Sequence, residues 1–225
     1  MTWLVWKEYR LNRPIVFVTL LLMIVPYLIA IYVTLRYAYR GARWDANFIG
    51  ASLYSLILSQ VALALIGGNA IAGERADHSA EFQAYLPLPR KKILAAKLLL
   101  ALAIAAVIWL TNPPILCALV WVFADFSGRS EPGFHAVIIN TLITGLMFFC
   151  VAWLFSSFLS SPTFSVCAGL IAPLLVVSGI YYIRYLLSMP RAEQIVELNY
   201  RGICLACAPV CFAVGTWLYL RRVEP

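Results

Sequence analysis

Charge is scarce in this chain: only 12% of its 225 residues are Asp, Glu, Lys or Arg, against 63% that are hydrophobic. A water-soluble fold of this size could not hide that much apolar surface, so a soluble catalytic domain is excluded. Histidine is nearly missing. His78 and His135 stand far apart with no ligand spacing, and no metal site is expected. Acidic residues number ten, and no acidic pair falls inside an apolar run, which leaves a proton-coupled or ion-pumping mechanism without visible carriers. Ile15 to Leu35 is long enough to span a bilayer, and no small-residue cleavage site follows it. It reads as a retained first span rather than a cleaved signal. The six cysteines, Cys117, Cys150, Cys167, Cys204, Cys207 and Cys211, all sit in apolar stretches rather than loops, which argues against an extracellular disulfide framework and for free thiols.

What the chain has in abundance is long apolar sequence, with a mean hydropathy of +0.87. Six runs stand out, at about 15–35, 48–72, 93–123, 135–159, 163–187 and 202–220. They are continuous and rich in Leu and Ala instead of alternating, so a β-barrel is a poor alternative and the fold class is all-α. The expectation is one transmembrane domain over residues 1–225, each span closing its own backbone hydrogen bonds against lipid. A net charge of +7 would suggest nucleic acid in a soluble protein. Here the cations cluster at the ends of the apolar runs, where Lys and Arg meet phospholipid headgroups, and the bilayer is the partner they imply. Trp3, Trp6, Lys7, Arg10, Lys91 and Lys92 are the candidate membrane-surface anchors.

With six spans both termini share one face, and the basic residues divide between two sides. Lys7, Arg10, Arg13, Arg75, Arg90, Lys91, Lys92, Lys97, Arg221 and Arg222 make ten on the terminal side, against seven on the other: Arg36, Arg40, Arg43, Arg129, Arg184, Arg191 and Arg201. The bias predicts cytoplasmic termini. Asn112-Pro113-Pro114 interrupts the third run and should kink or break it, either as a pathway-lining bend or near the outer surface, where Pro is easily tolerated; the second is our expectation. Pro26, Pro173 and Pro209 lie inside spans, where neighbouring helices can compensate. Ser188 to Arg201 reads either as a short surface helix or as a solvated loop.

The most informative stretch is the connection after the second run, Gly73 to Lys92, the long polar segment on the terminal face. Asp77 or Ser79 can cap a short helix, with Glu81 in its first turn and Pro87 ending it. Phe82, Tyr85 and Leu86 then share one apolar face at i, i+3, i+4 on an element too short to be stable alone. Such a face needs a docking surface, either the chain's own helix ends or a groove on a partner.

Glu74-Arg75, Glu81 six residues on, Leu86-Pro87-x-Pro89-Arg90, then Ile93 and Lys97, resemble the cytoplasmic loop of the type-2 permeases of ATP-binding cassette (ABC) transporters. Trp6-Lys7-Glu8-Tyr9-Arg10 is similar to the interfacial segment that precedes the first span in that family, although its aromatics and charges are spread around the helical wheel. The resemblance implies a permease subunit in the cytoplasmic (inner) membrane that dimerises, as a homodimer or with a related chain. Each copy would dock a cytosolic ABC ATPase through Glu74, Arg75, Glu81, Phe82, Tyr85, Leu86, Pro87 and Arg90. No Gly-x-x-x-x-Gly-Lys-Ser/Thr phosphate loop occurs, so ATP and Mg would bind the partner, and the chain itself is not expected to be an enzyme. Export is the direction the resemblance implies; no residue names the substrate.

Two other readings compete. Cys204-x-x-Cys207-x-x-x-Cys211 lies on one helical face, as a membrane thiol oxidoreductase or a soft-metal site would need. The surroundings are apolar and no nearby cation would lower a thiol pKa, so packing accounts for it better. The third reading is a non-transporting membrane scaffold. Asn69, Asn140, Gly67-Gly68, Ser156-Ser157 and Ser160-Ser161 are expected to serve helix contacts.

Overall fold

A computed structural model describes residues 2–37, 44–76, 89–127, 134–187 and 193–221. They form seven helices: α1 (Thr2–Leu11), α2 (Arg13–Arg36), α3 (Trp44–Ala76), α4 (Arg90–Ser127), α5 (Phe134–Phe158), α6 (Pro162–Leu186) and α7 (Glu193–Arg221), with no strand among the described residues. Six of them, α2 to α7, are long and apolar enough to cross a membrane. The spans run alternately up and down, so α1, the start of α4 and the end of α7 lie at one face, the terminal face.

α3 is the hub, packing against α2, α4, α5 and α6, while α5 carries α6 and α7 on its other side. Small residues set this arrangement, because lipid is as apolar as the helices and association depends on close backbone approach and on polar contacts. A β-carbon on Gly67 would come 2.6 Å from the Phe149 carbonyl oxygen of α5, and one on Gly68 would come 2.5 Å from the Val166 side chain of α6. The adjacent pair thus presses α3 onto two neighbours at once. Ser156 Oγ of α5 accepts from the backbone N–H of Ile71 (3.0 Å) and Ala72 (2.8 Å), bringing the same helices together nearer the terminal face. Gly67, Gly68 and Ser156 therefore do serve helix contacts, while Ser160 and Ser161 lie in the turn between α5 and α6.

The prolines are absorbed rather than breaking their helices. Pro26 cannot donate within α2 and crowds the preceding turn; the Met23 carbonyl in that turn lies 2.8 Å from Ser55 Oγ of α3. α4 runs unbroken through Pro113 and Pro114. Asn112, 1% exposed, bridges to α3 through Ser55 Oγ (2.9 Å) and Ser59 Oγ (3.0 Å). Asn112 thus sits in a helix–helix contact, about 33 Å along α4 from Arg90, at the end of the span away from the terminal face.

A correction concerns 188–201. From Glu193 onward these residues are the first turns of α7, continuous with the span. Val196 packs into the α5–α7 core. Glu197 and Arg201 close a network with Asn140 of α5, at 2.6 Å from Asn140 Nδ2 to Glu197 and 2.6 Å from Arg201 Nε to Asn140 Oδ1. Tyr200 and Thr144 share a 2.6 Å hydroxyl hydrogen bond beside it. Glu197 and Arg201 form an i,i+4 ion pair at 2.5 Å, and Asn140 of α5 binds both, which ties these first turns of α7 to the neighbouring helix.

Candidate functional site

α1 is polar where it faces the protein and aromatic where it faces out. Leu4, Glu8 and Asn12, at i, i+4 and i+8, form its buried stripe, while Trp3 and Trp6 are 60% and 53% exposed. Reading the helix for an apolar inward face therefore finds nothing, because in a membrane the apolar face turns to lipid. Arg10 is exposed and lies over the Trp6 ring, 5.5 Å from its centroid. Lys7, also an expected surface anchor, turns instead toward Glu74 (3.5 Å) and Glu8 (3.9 Å).

The stripe delivers Glu8 into a buried ionic cluster built from three elements. Lys97, about two turns into α4, has a side chain only 2% exposed; its Nζ lies 2.9 Å from Glu74 Oε2 and 3.6 Å from Glu8 Oε2. It also donates to the Ala70 carbonyl of α3. Lys97 lies between the two carboxylates, and Lys7, with a side chain 25% exposed, adds a cation at the edge of the cluster, which offsets the cost of burying the carboxylates. Burial pushes the Glu8 carboxyl above its ordinary value; Lys97 and Lys7 oppose the shift and Glu74 reinforces it. Asn12 donates to the Glu8 carbonyl (2.8 Å) and accepts from Asn69 Nδ2 of α3 (3.0 Å), so α1 is held by neutral as well as charged bonds. A cavity of about 30 Å³, room for one water, lies among Glu8, Asn12, Asn69, Glu74 and Lys97. The cluster also brings two acidic groups, Glu8 and Glu74, together out of water, which the separation of residues 8 and 74 along the chain conceals.

Arg75, the neighbour of Glu74, points to α5. Its guanidinium donates to the carbonyls of Ser157 (2.9 Å), Leu159 (3.2 Å) and Ser156 (3.4 Å). These are carbonyls of the last turn of α5, with no following turn to satisfy them, and a cation there also suits the helix dipole. Arg90 opens α4, and Lys91 and Lys92 beside it are exposed. Glu81, Phe82, Tyr85, Leu86 and Pro87, with the short helix expected from Asp77 or Ser79 onward, lie outside the described residues. What the structure brings together are the two ends of that segment: Glu74 on one side and Lys97 on the other are an ion pair, and α1 is bound to both. The sequence places Lys97 only in a family pattern and a charge count, and Glu8 only within a segment; the usable signal was the i, i+4 polar pair Glu8 and Asn12.

The cysteines are all free. Cys204 is buried, and it packs with Cys150, Cys207 and Cys211 in the α5–α7 core. No group of three or more potential metal ligands occurs among the described residues.

Six packed apolar spans with a charged seam at one face define a multi-pass membrane protein. The chain belongs to the ABC-2 transporters: the family model described as "ABC-2 family transporter protein" matches residues 46–200. It is therefore a membrane-spanning transport subunit, a permease of an ABC transporter. Neither a curated protein nor a solved structure matches it.

Proposed function

We propose that this permease works with a separate cytosolic ABC ATPase, which binds ATP and Mg, and that two copies of the permease form an export pathway. The ATPase docks on the segment between α3 and α4, with Phe82, Tyr85 and Leu86 as its mechanical contact and Glu81 and Pro87 shaping that helix. Both termini face the cytoplasm, and Trp3, Trp6, Arg10, Lys91 and Lys92 hold the surrounding helices at the headgroup layer.

The observation that supports this reading most directly is the Glu74–Lys97–Glu8 cluster. A force applied between Ala76 and Pro89 enters α3 and α4 at points joined by a buried ion pair and is shared with α1. The three elements then move as one body, and the displacement reaches α5 through Arg75. Glu74 and Arg75 thereby belong to the transmission, and Arg90 continues it into α4.

The test is a pull-down from native membranes in mild detergent, with ATPase activity assayed on the eluate for wild type, Phe82→Ala/Tyr85→Ala and Glu81→Lys. Co-purifying activity that disappears in the double variant while the permease itself stays monodisperse is the expected result. Wild type that brings down no ATPase would overturn the proposal.

A further inference from the structure

Very little apolar surface holds α1 to the bundle. Among its described side chains Leu4 is the only buried hydrophobic one, while Trp3, Trp6, Tyr9 and Leu11 are exposed. The helix packs mainly on α4 and only slightly on α2. Outward-facing tryptophans suit the headgroup layer, so α1 has a second resting place, flat on the membrane surface and still joined to α2. Which of the two it occupies depends on the polar residues of its inward stripe, Glu8 and Asn12.

Of the two carboxyl groups in the ionic cluster, Glu8 is the less well compensated. Lys97 Nζ is 2.9 Å from Glu74 but 3.6 Å from Glu8, and Lys7 Nζ is 3.5 Å from Glu74 but 3.9 Å from Glu8. Both distances to Glu8 are longer than a hydrogen bond. Its Oε1 is buried and has no hydrogen-bond partner among the described residues. Asn12 offers none to the carboxyl, because its amide donates to the Glu8 backbone carbonyl instead. The charged groups facing Glu8 are thus Lys7 of α1 itself, Glu74 of α3 and Lys97 of α4. A carboxylate held out of water without a hydrogen bond and beside a second carboxylate is costly, and one proton relieves both faults. The upward shift that burial imposes on this carboxyl has the same sign. The cavity of about 30 Å³ that borders Glu8 admits one water, which is enough to pass a proton from the terminal face.

We infer that α1 is a proton-operated latch: Glu8 docks against α3 and α4 in its protonated form and gives up the proton when α1 leaves the seam for the membrane surface. Undocked, Glu8 faces water and has ordinary acidity; docked, its pKa is the higher of the two. Docking is therefore fully favoured below the undocked pKa and is lost as pH rises through the docked one. A single linked proton changes the docking equilibrium by at most about tenfold per pH unit. Nothing in the latch requires a bound ATPase.

The test is hydrogen–deuterium exchange of the purified full-length permease between about pH 5.5 and about pH 8.5, with each rate corrected for the intrinsic pH dependence of amide exchange. Peptides from α1 should exchange about tenfold or more faster at the upper end than at the lower, while those of α5 stay unchanged. Glu8→Gln, neutral at every pH, should hold α1 at the slow wild-type rate throughout. Lys7→Gln removes a cation that favours the ionised carboxyl and should move the rise to higher pH. Wild-type rates that do not vary with pH would overturn the latch. So would Glu8→Gln protein whose α1 follows the wild-type profile, or whose α1 is open at every pH while α2 to α7 stay protected. If Glu8→Gln does not yield folded protein, Lys7→Gln decides, and a profile it leaves unmoved has the same consequence.

Discussion

Replacing Lys97 by Met tests the ionic cluster at its centre, because Met keeps most of the volume and removes the charge. The Lys97 side chain is 2% exposed, and those of Glu8 and Glu74 are 3% and 9% exposed. After the substitution the two carboxylates lose their buried cation, while Lys7, whose side chain is 25% exposed, still lies 3.5 Å from Glu74 and 3.9 Å from Glu8. Breaking a buried pair from one side costs about 3–5 kcal/mol. The protein's escape is to protonate one carboxyl, which at pH 7 and a reference pKa of about 4.3 costs up to ~3.7 kcal/mol. The two estimates agree, and for a chain of this length they correspond to a fall in melting temperature of roughly 6–20 °C, measurable by size exclusion of heated detergent samples. Glu8→Gln added to Lys97→Met restores the balance, leaving Lys7 with Glu74, and should recover at least half of the loss. A single-variant fall under about 2 °C, or a double variant no more stable than the single, would refute the charge argument.

The sign of the pH dependence follows from Glu8, whose carboxyl is already raised by burial. A raised acid favours the folded state below its folded pKa and loses that contribution as pH rises through it, so the Lys97→Met deficit should shrink between pH 7 and pH 5, by up to ~2.7 kcal/mol; a deficit that grows on acidification would contradict this. Arg75→Leu strands three carbonyls at the end of α5 and should destabilise by about 2 kcal/mol or more, read as the same melting shift; a shift within error would show the cap to be dispensable. Gly67→Ala should lower the melting temperature because its β-carbon would meet the Phe149 carbonyl, whereas Gly179→Ala, with nothing within 4 Å, should be neutral or stabilising, and equal effects would sink the close-packing argument. Asn112→Leu removes the bonds to Ser55 and Ser59 and should cost roughly 0.6–2 kcal/mol; a more stable variant in the same melt would show that these bonds add nothing.

The sequence alone determined the number of the spans, because crossing hydrocarbon demands about 20 apolar residues in a row and that demand is local. It also marked Gly67-Gly68, Ser156-Ser157, Asn69 and Asn140 as contact residues, since small and polar side chains inside a span have few other uses. It left residues 188–201 open between a surface helix and a loop; from Glu193 they are the first turns of α7, fixed by an Asn140 that lies far away along the chain. The inward face of α1 was hidden because its aromatics and charges are spread around the wheel and only Leu4, Glu8 and Asn12 mark the buried side. Only the tertiary structure could place Glu8, Glu74 and Lys97 together, because the stability of a buried charge depends on neighbours that lie far away along the chain.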